Sequence, residues 1–266
     1  MRNTSVFWAV VLILAGMLFL LNNFGLLPHL GFSIWNLVWP VFLIALGVWF
    51  ISRTFFHSAP ASMEPGSIPL EGAKRAEIEL KHGAGELVLG AGSGGDLLAE
   101  GEFGGGLRYR SARRGDLLDV EMKMAVEPVA FLNWAPGGYD WDVRLNPSVP
   151  TVLKCETGAS KSTLDLRDLQ VTELKLETGA SATDVTLPAR AGYTKVKVQS
   201  GAARVDIRVP GGVAGRIKTS AALASVVVDE TRFPGFDNRY QSPDYDSSQN
   251  KVEIEVETGI GAVTVS

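Results

Sequence analysis

Cysteine is nearly absent from this chain of 266 residues, Cys155 being the only one. No intrachain disulfide can form, which leans toward a reducing compartment. The three histidines, His29, His57 and His82, are scattered, so a zinc site built on Cys and His ligands is not expected. Charge is missing from the first 60 residues except for Arg2 and Arg53. Beyond them, 23 basic side chains face 29 acidic ones, a net of about −6. A mildly acidic domain lacks the basic patches that displace counterions from a phosphate backbone, so nucleic acid is not an expected partner.

The uncharged N-terminal stretch is strongly apolar. Residues 6–21 read VFWAVVLILAGMLFLL, and an apolar tail runs on to Leu27. Residues 32–51 read FSIWNLVWPVFLIALGVWFI. Each is about 20 residues long, enough to cross a hydrocarbon core as a helix. Pro40 should kink the second helix or mark its packing on the first. Trp8, Trp35, Trp39 and Trp49 suit interface depth. Asn22, Asn23 and Phe24 follow the first core instead of small residues, which speaks against a cleaved signal peptide. Arg2 precedes the first helix and Arg53 follows the second, while the loop between them has neither Lys nor Arg. Both termini are therefore expected in the cytoplasm, in a multi-pass protein of the cell membrane. Small residues Ala15, Gly16, Ala45 and Gly47 permit close helix contacts with a membrane partner.

The expected organisation is a two-helix membrane module over 1–57, a Pro/Ser/Gly linker over 58–72 and a β-repeat domain over 73–266. The linker reads SAPASMEPGSIPLEG and is expected to have no core. The repeat domain is the most specific feature of the chain. Leu153-Lys-Cys155-Glu-Thr157-Gly158, Leu174-Lys-Leu176-Glu-Thr178-Gly179, Val196-Lys-Val198-Gln-Ser200-Gly201 and Ile254-Glu-Val256-Glu-Thr258-Gly259 are copies of one unit. Ile217-Lys-Thr219-Ser-Ala221-Ala222 is a fifth copy, and Ile78-Glu-Leu80-Lys-His82-Gly83 a sixth. Each is followed by an apolar-polar-apolar triplet, including Leu87 to Leu89, Leu164 to Leu166 and Val185 to Leu187.

Strict alternation buries one face of each strand, and Gly83, Gly158, Gly179, Gly201 and Gly259 supply the corners. The period is about 21 residues, too short for a βαβ unit. Stacked repeats would bury a continuous core that no single repeat can form. The fold is thus expected to be mainly β, a solenoid-like stack, with an antiparallel sandwich as the alternative. Residues 229–250 break the rhythm and are read as an inserted loop, a common binding face in solenoids.

No catalytic constellation is legible. Residues 158–163, GASKST, lack the first glycine of a phosphate loop and lead into a strand instead of a helix. Gly-rich stretches 90–95 and 104–106 read as hairpin turns. His82 stands at a repeat corner, a structural position. Asp140 with Asp142, and Asp237 with Asp244 and Asp246, raise a Ca²⁺ question, though loop solubility is the simpler account. No metal, cofactor or enzymatic activity is expected. Candidate partner-binding residues are the loop aromatics Phe131, Trp134, Trp141, Phe233, Phe236, Tyr240 and Tyr245, since exposed aromatics anchor interfaces. For Phe131, Trp134, Tyr139 and Trp141, capping one end of the apolar stack is the favoured account over anchoring a partner. An open terminal edge would also allow strand addition by a ligand or a second copy of the chain.

The N-terminal helices, with Trp39-Pro40 followed by the run from Leu43 to Trp49, resemble the LiaI/LiaF-like transmembrane region of bacterial membrane proteins. The repeats with Glu-Thr-Gly-Ala corners resemble the toast-rack and adhesin-type β-repeat domains that accompany it. The resemblance implies a bacterial membrane protein, in some members a modulator of a cell-envelope stress sensor kinase, and brings no catalytic residues. The better-known regulators have more than two helices.

Overall fold

The chain divides into two units, Met1–His57 and Ser58–Ser266. The computed structural model describes residues 63–92, 94–125 and 139–266, all in the second unit. The two expected transmembrane helices, and with them Phe131 and Trp134, lie outside the described residues.

Alternating sequence produces long bent strands that stack side by side. The central ones are β2 (Arg75–Ala91), β7 (Thr151–Asp165), β10 (Tyr193–Arg208), β11 (Ala214–Val228) and β14 (Lys251–Val265). The rung after β7 is split into β8 (Val171–Thr178) and β9 (Ala182–Thr186). Neighbouring rungs pair in parallel: β2 on β7, β7 on β8 and β9, these on β10, β10 on β14, and β14 on β11. All six sequence repeats are rungs. The parallel pairing excludes the antiparallel sandwich for the stack itself.

The register carries the repeat from layer to layer. Ile78 lies beside Leu153, Leu153 beside Leu174, Leu174 beside Val196, Val196 beside Ile254 and Ile254 beside Ile217. These side chains are 0–1% exposed. After the corner, the register differs from the simple triplet alignment. Leu89 lies beside Leu164, and Leu164 beside Val185, so Leu87 faces Ser162 and Ser162 faces Thr183. Those two hydroxyl residues are buried within the stack, and Leu166 and Leu187 pass on to the next side. Turns close the rungs there, with Leu169 N–H donating to Leu166 C=O (3.0 Å) and Val213 N–H to Pro210 C=O (3.2 Å).

Antiparallel strands finish both ends. At one end β5 (Leu117–Met124) and β6 (Trp141–Leu145) form the two arms of an outer rung beside β2. β4 (Leu107–Arg114) covers β5, while β3 (Leu97–Gly104) and then β1 (Met63–Pro69) extend β6. The stretch read as a coreless linker therefore contains an edge strand. Ile68 is fully buried, and Pro65 and Pro69 are tolerated because β1 is paired on one side only.

The 229–250 insertion is likewise ordered. β12 (Gly235–Phe236) and β13 (Arg239–Gln241) make a hairpin across Asp237 and Asn238, whose φ values are 53° and 62°. Two left-handed residues give the twist a two-residue hairpin needs. β13 then pairs antiparallel with residues 216–218 of β11.

Leu176 is 1% exposed in the centre of the core. Leu176→Ala is expected to cost about 2–5 kcal/mol of unfolding free energy, measured by urea denaturation. The same truncation at Leu223, 80% exposed, should change stability by less than about 0.5 kcal/mol.

Candidate interaction surface

The corners of successive rungs line up into an open groove of about 1100 Å³ that crosses six rungs. Its floor is a column of residues almost without side chains: Gly83, Gly158, Gly179, Gly201, Gly259 and Ala222. Close stacking imposes this. A Cβ on Gly158 would collide with the carbonyl oxygen of Gly83, and one on Gly259 would lie 2.9 Å from the Gly201 oxygen. At Gly158, Gly179 and Gly259 the corner role thus comes from backbone approach, whereas Gly83 and Gly201 have room for a methyl group.

Polar columns flank the floor. Lys81 lies beside Glu156, Glu156 beside Glu177, Glu177 beside Gln199, Gln199 beside Glu257 and Glu257 beside Ser220. Gln199 Nε2 donates to Glu257 Oε2 at 2.6 Å. Burial pushes the Glu156 carboxyl up; Lys81 pulls it back, while the carboxylates Glu79 and Glu177 raise it further. On the inner side stand His82, Thr157, Thr178, Ser200 and Thr258, all buried. Ser200 Oγ donates to Thr258 Oγ1 at 2.8 Å, whereas Thr157 Oγ1 and Thr178 Oγ1 have no partner. The groove therefore offers carboxylates, backbone and hydroxyls, a surface suited to cationic or hydrogen-bonding groups of a partner.

His82 is fixed structurally. Its Nε2–H donates to the Tyr139 carbonyl at 2.8 Å, its ring tilts against Trp141 with centroids 5.5 Å apart, and its Nδ1 has no partner among the described residues. Burial holds its pKa below the ordinary range, opposed by the Tyr139 hydrogen bond and by Asp140. Cys155 is fully buried, and desolvation pushes its thiol up to about 12, so it stays protonated.

The candidate aromatics separate by burial. Trp141 is in the core, edge-on to Phe103 at 4.9 Å, with Nε1–H donated to the Gly104 carbonyl at 3.1 Å. Phe233 is fully buried, with the Arg232 guanidinium 4.8 Å over its ring. Tyr245 is buried under Arg216, 4.1 Å from the ring centroid. These three spend their apolar area on the fold and offer little to a partner. Tyr240 is half-buried, and Phe236 is 89% exposed at the hairpin tip. Alternation could have placed Trp141, since it begins a strand in which buried and half-buried residues alternate. Nothing in the sequence marked Leu223 or Ile260, which are 80% and 59% exposed.

The acidic pairs are engaged within the chain. Asp140 Oδ1 accepts the Glu86 N–H at 2.8 Å, Asp142 pairs with Arg144 at 2.7 Å and Asp246 with Arg216 at 3.4 Å. Among the described residues no group of three His, Cys, Asp or Glu gathers as a metal site would require.

Two predictions follow from the corner. Gly158→Val should destabilise the domain strongly, while Gly211→Ala, with open space around the new methyl, should leave the melting temperature within about 2 °C. For His82, the depressed folded pKa means the unfolded chain binds the extra proton. Stability should be flat above the unfolded value of about 6.5 and fall as pH drops from there toward 5. His82→Gln should flatten that window in denaturation midpoints. Glu156, with its raised pKa, acts in the opposite sense at lower pH.

Comparison with known proteins agrees with this architecture. Residues 6–51 match the LiaI-LiaF-like transmembrane region, so the chain is a membrane-associated protein. Among curated proteins none matches. A crystal structure from Clostridium sporogenes ATCC 15579, described as "a putative cell adhesion protein", is similar with a TM-score of 0.67 at 20% identity. The alignment covers 77% of this chain and 98% of that one, a likeness of fold. Residues 58–208 match the model of the N-terminal domain of toast_rack, DUF2154, and the chain belongs to that family.

Proposed function

We propose that this is a non-catalytic interaction module of the bacterial cell membrane, held there by two helices and facing the cytoplasm with its β-stack. Its partner would be another membrane protein, such as a sensor kinase of cell-envelope stress signalling. The observation that carries the reading is the corner groove. It is long and shallow, floored by glycine backbone and edged by Glu156, Glu177 and Glu257. That shape suits an extended, Lys- or Arg-bearing segment of a protein better than a small metabolite, for which enclosed apolar pockets are usual. Arg2 before the first apolar segment and Arg53 after the second, with neither Lys nor Arg between them, support the cytoplasmic orientation.

A surface-facing adhesin-like or envelope-scaffold role is the second reading. It is favoured by the description of the Clostridium sporogenes structure as "a putative cell adhesion protein".

Reporters fused separately after Ser266, one fluorescent only in the cytoplasm and one a phosphatase active only outside it, separate the two. Fluorescence without phosphatase activity is expected, and the reverse would put the adhesin-like role first. With the cytoplasmic orientation in hand, a gentle-detergent pull-down should retain a kinase or other membrane protein. Glu156→Lys with Glu177→Lys should release it without altering thermal unfolding.

A further inference from the structure

The last two rungs differ from every other in the second arm, after the corner. Outward-facing residues there include Lys161 and Asp165 on β7, Asp184 on β9, and Arg204 and Asp206 on β10. On β14 the corresponding residues are Ile260, Ala262 and Thr264, and on β11 they are Leu223, Ser225 and Val227. The patch has no charge, and Leu223, Val227 and Ile260 are 80%, 56% and 59% exposed.

This patch also borders an open edge. β13 covers β11 only at residues 216–218, and residues 221–228 pair with β14 on one side alone among the described residues. Soluble proteins protect such edges with charge, proline or a covering segment. The other terminal edges of this stack do so. β1 carries Pro65 and Pro69, and β4 exposes Arg108, Arg110, Arg113 and Arg114. Head-to-tail stacking of copies, which would leave an open filament, therefore meets prolines or arginines at the opposite end.

We infer that residues 222–228 of β11 pair antiparallel with the same residues of a second copy of this chain, about a two-fold axis at Ser225. The sequence is self-complementary in that register. In an antiparallel pair, directly opposed residues share a face. Centring on Ser225 sets Leu223 against the second copy's Val227 and Val227 against its Leu223, on the outer face. Ala224 then meets Val226, and Ala222 meets Val228, on the inner one. Shifting the centre by one residue either way breaks the Leu–Val pairs. No charge opposes a like charge at any position, and the two stacks become one continuous sheet. The interface is isologous and closed, so it stops at two copies. Of the groove floor it takes in Ala222 alone, at the last rung, and it holds whichever membrane partner the chain serves.

The test uses the full chain in its membrane. Cys155 is buried, so Ser225→Cys supplies a single accessible thiol on the axis, and exposed Gln249 replaced by Cys reports chance collision. Mild oxidation should give a disulfide-linked species of twice the chain mass with Ser225→Cys and not with Gln249→Cys. Adding Leu223→Lys should lower its yield about tenfold or more. A Ser225→Cys chain that melts as the parent does and stays uncrosslinked would overturn the inference. So would a crosslink to a species of any other mass, or a yield untouched by Leu223→Lys. Should Ser225→Cys fold poorly, light scattering of the unmodified chain in detergent decides: a mass of two chains supports the pairing and a mass of one refutes it.

Discussion

Everything in this domain depends on in-register stacking of bent strands. A rung of about 15 residues cannot hide its apolar face alone, because its inward side chains need a layer above and below. The hydrogen-bonded ladder fixes the spacing between rungs at about 4.8 Å. That spacing is met all along each strand, including at the corner, where a side chain on Gly158 or Gly259 would intrude on the layer beside it. The glycines are the local answer to this global spacing, and the groove is its by-product. A surface bare of side chains arises where the stack is tightest, and the outward polar residues of each first arm become its walls.

The same stacking explains the distribution of charge. Parallel register sets equivalent residues beside one another, so a uniform repeat would line up like charges. Lys154, Lys175 and Lys197 do stand in one column, and carboxylates of adjacent columns offset them: Lys154 meets Glu77 at 2.5 Å, Lys175 meets Glu173 at 3.4 Å and Lys197 meets Glu257 at 3.5 Å. These exposed pairs contribute little individually to stability. Their effect is to relieve repulsion that the register would otherwise create.

Much of the stack was legible because a period-2 pattern repeated at a fixed interval has few physical solutions. Strand positions, corners and the inward faces of first arms all follow from it. The second-arm register did not, since Ser162 and Thr183 occupy interior positions that alternation alone assigns to apolar residues. Nor did the edge strand β1, whose prolines resemble linker chemistry until the neighbouring β3 is known. The aromatics misled for a related reason. Proline and glycine around Phe233 and Tyr245 suggest an exposed loop, but the end of a stack needs plugs, and large rings fill it. The exposed features of the stack are instead a groove floored by glycine and a patch of aliphatic side chains, which appear only when the layers are assembled.

The order of the rungs in space is not their order in the chain. β14 lies between β10 and β11, and β2 lies between the β5–β6 rung and β7. A solenoid wound in chain order could assemble layer by layer as it leaves the ribosome. Here the rung made last must enter a slot flanked by two made earlier, and β10 and β11 have no final neighbour on those sides until it arrives. Such non-local closure slows folding and delays it until β14 has been made. In return β14 is held on both sides, so that removing it breaks two ladders instead of one.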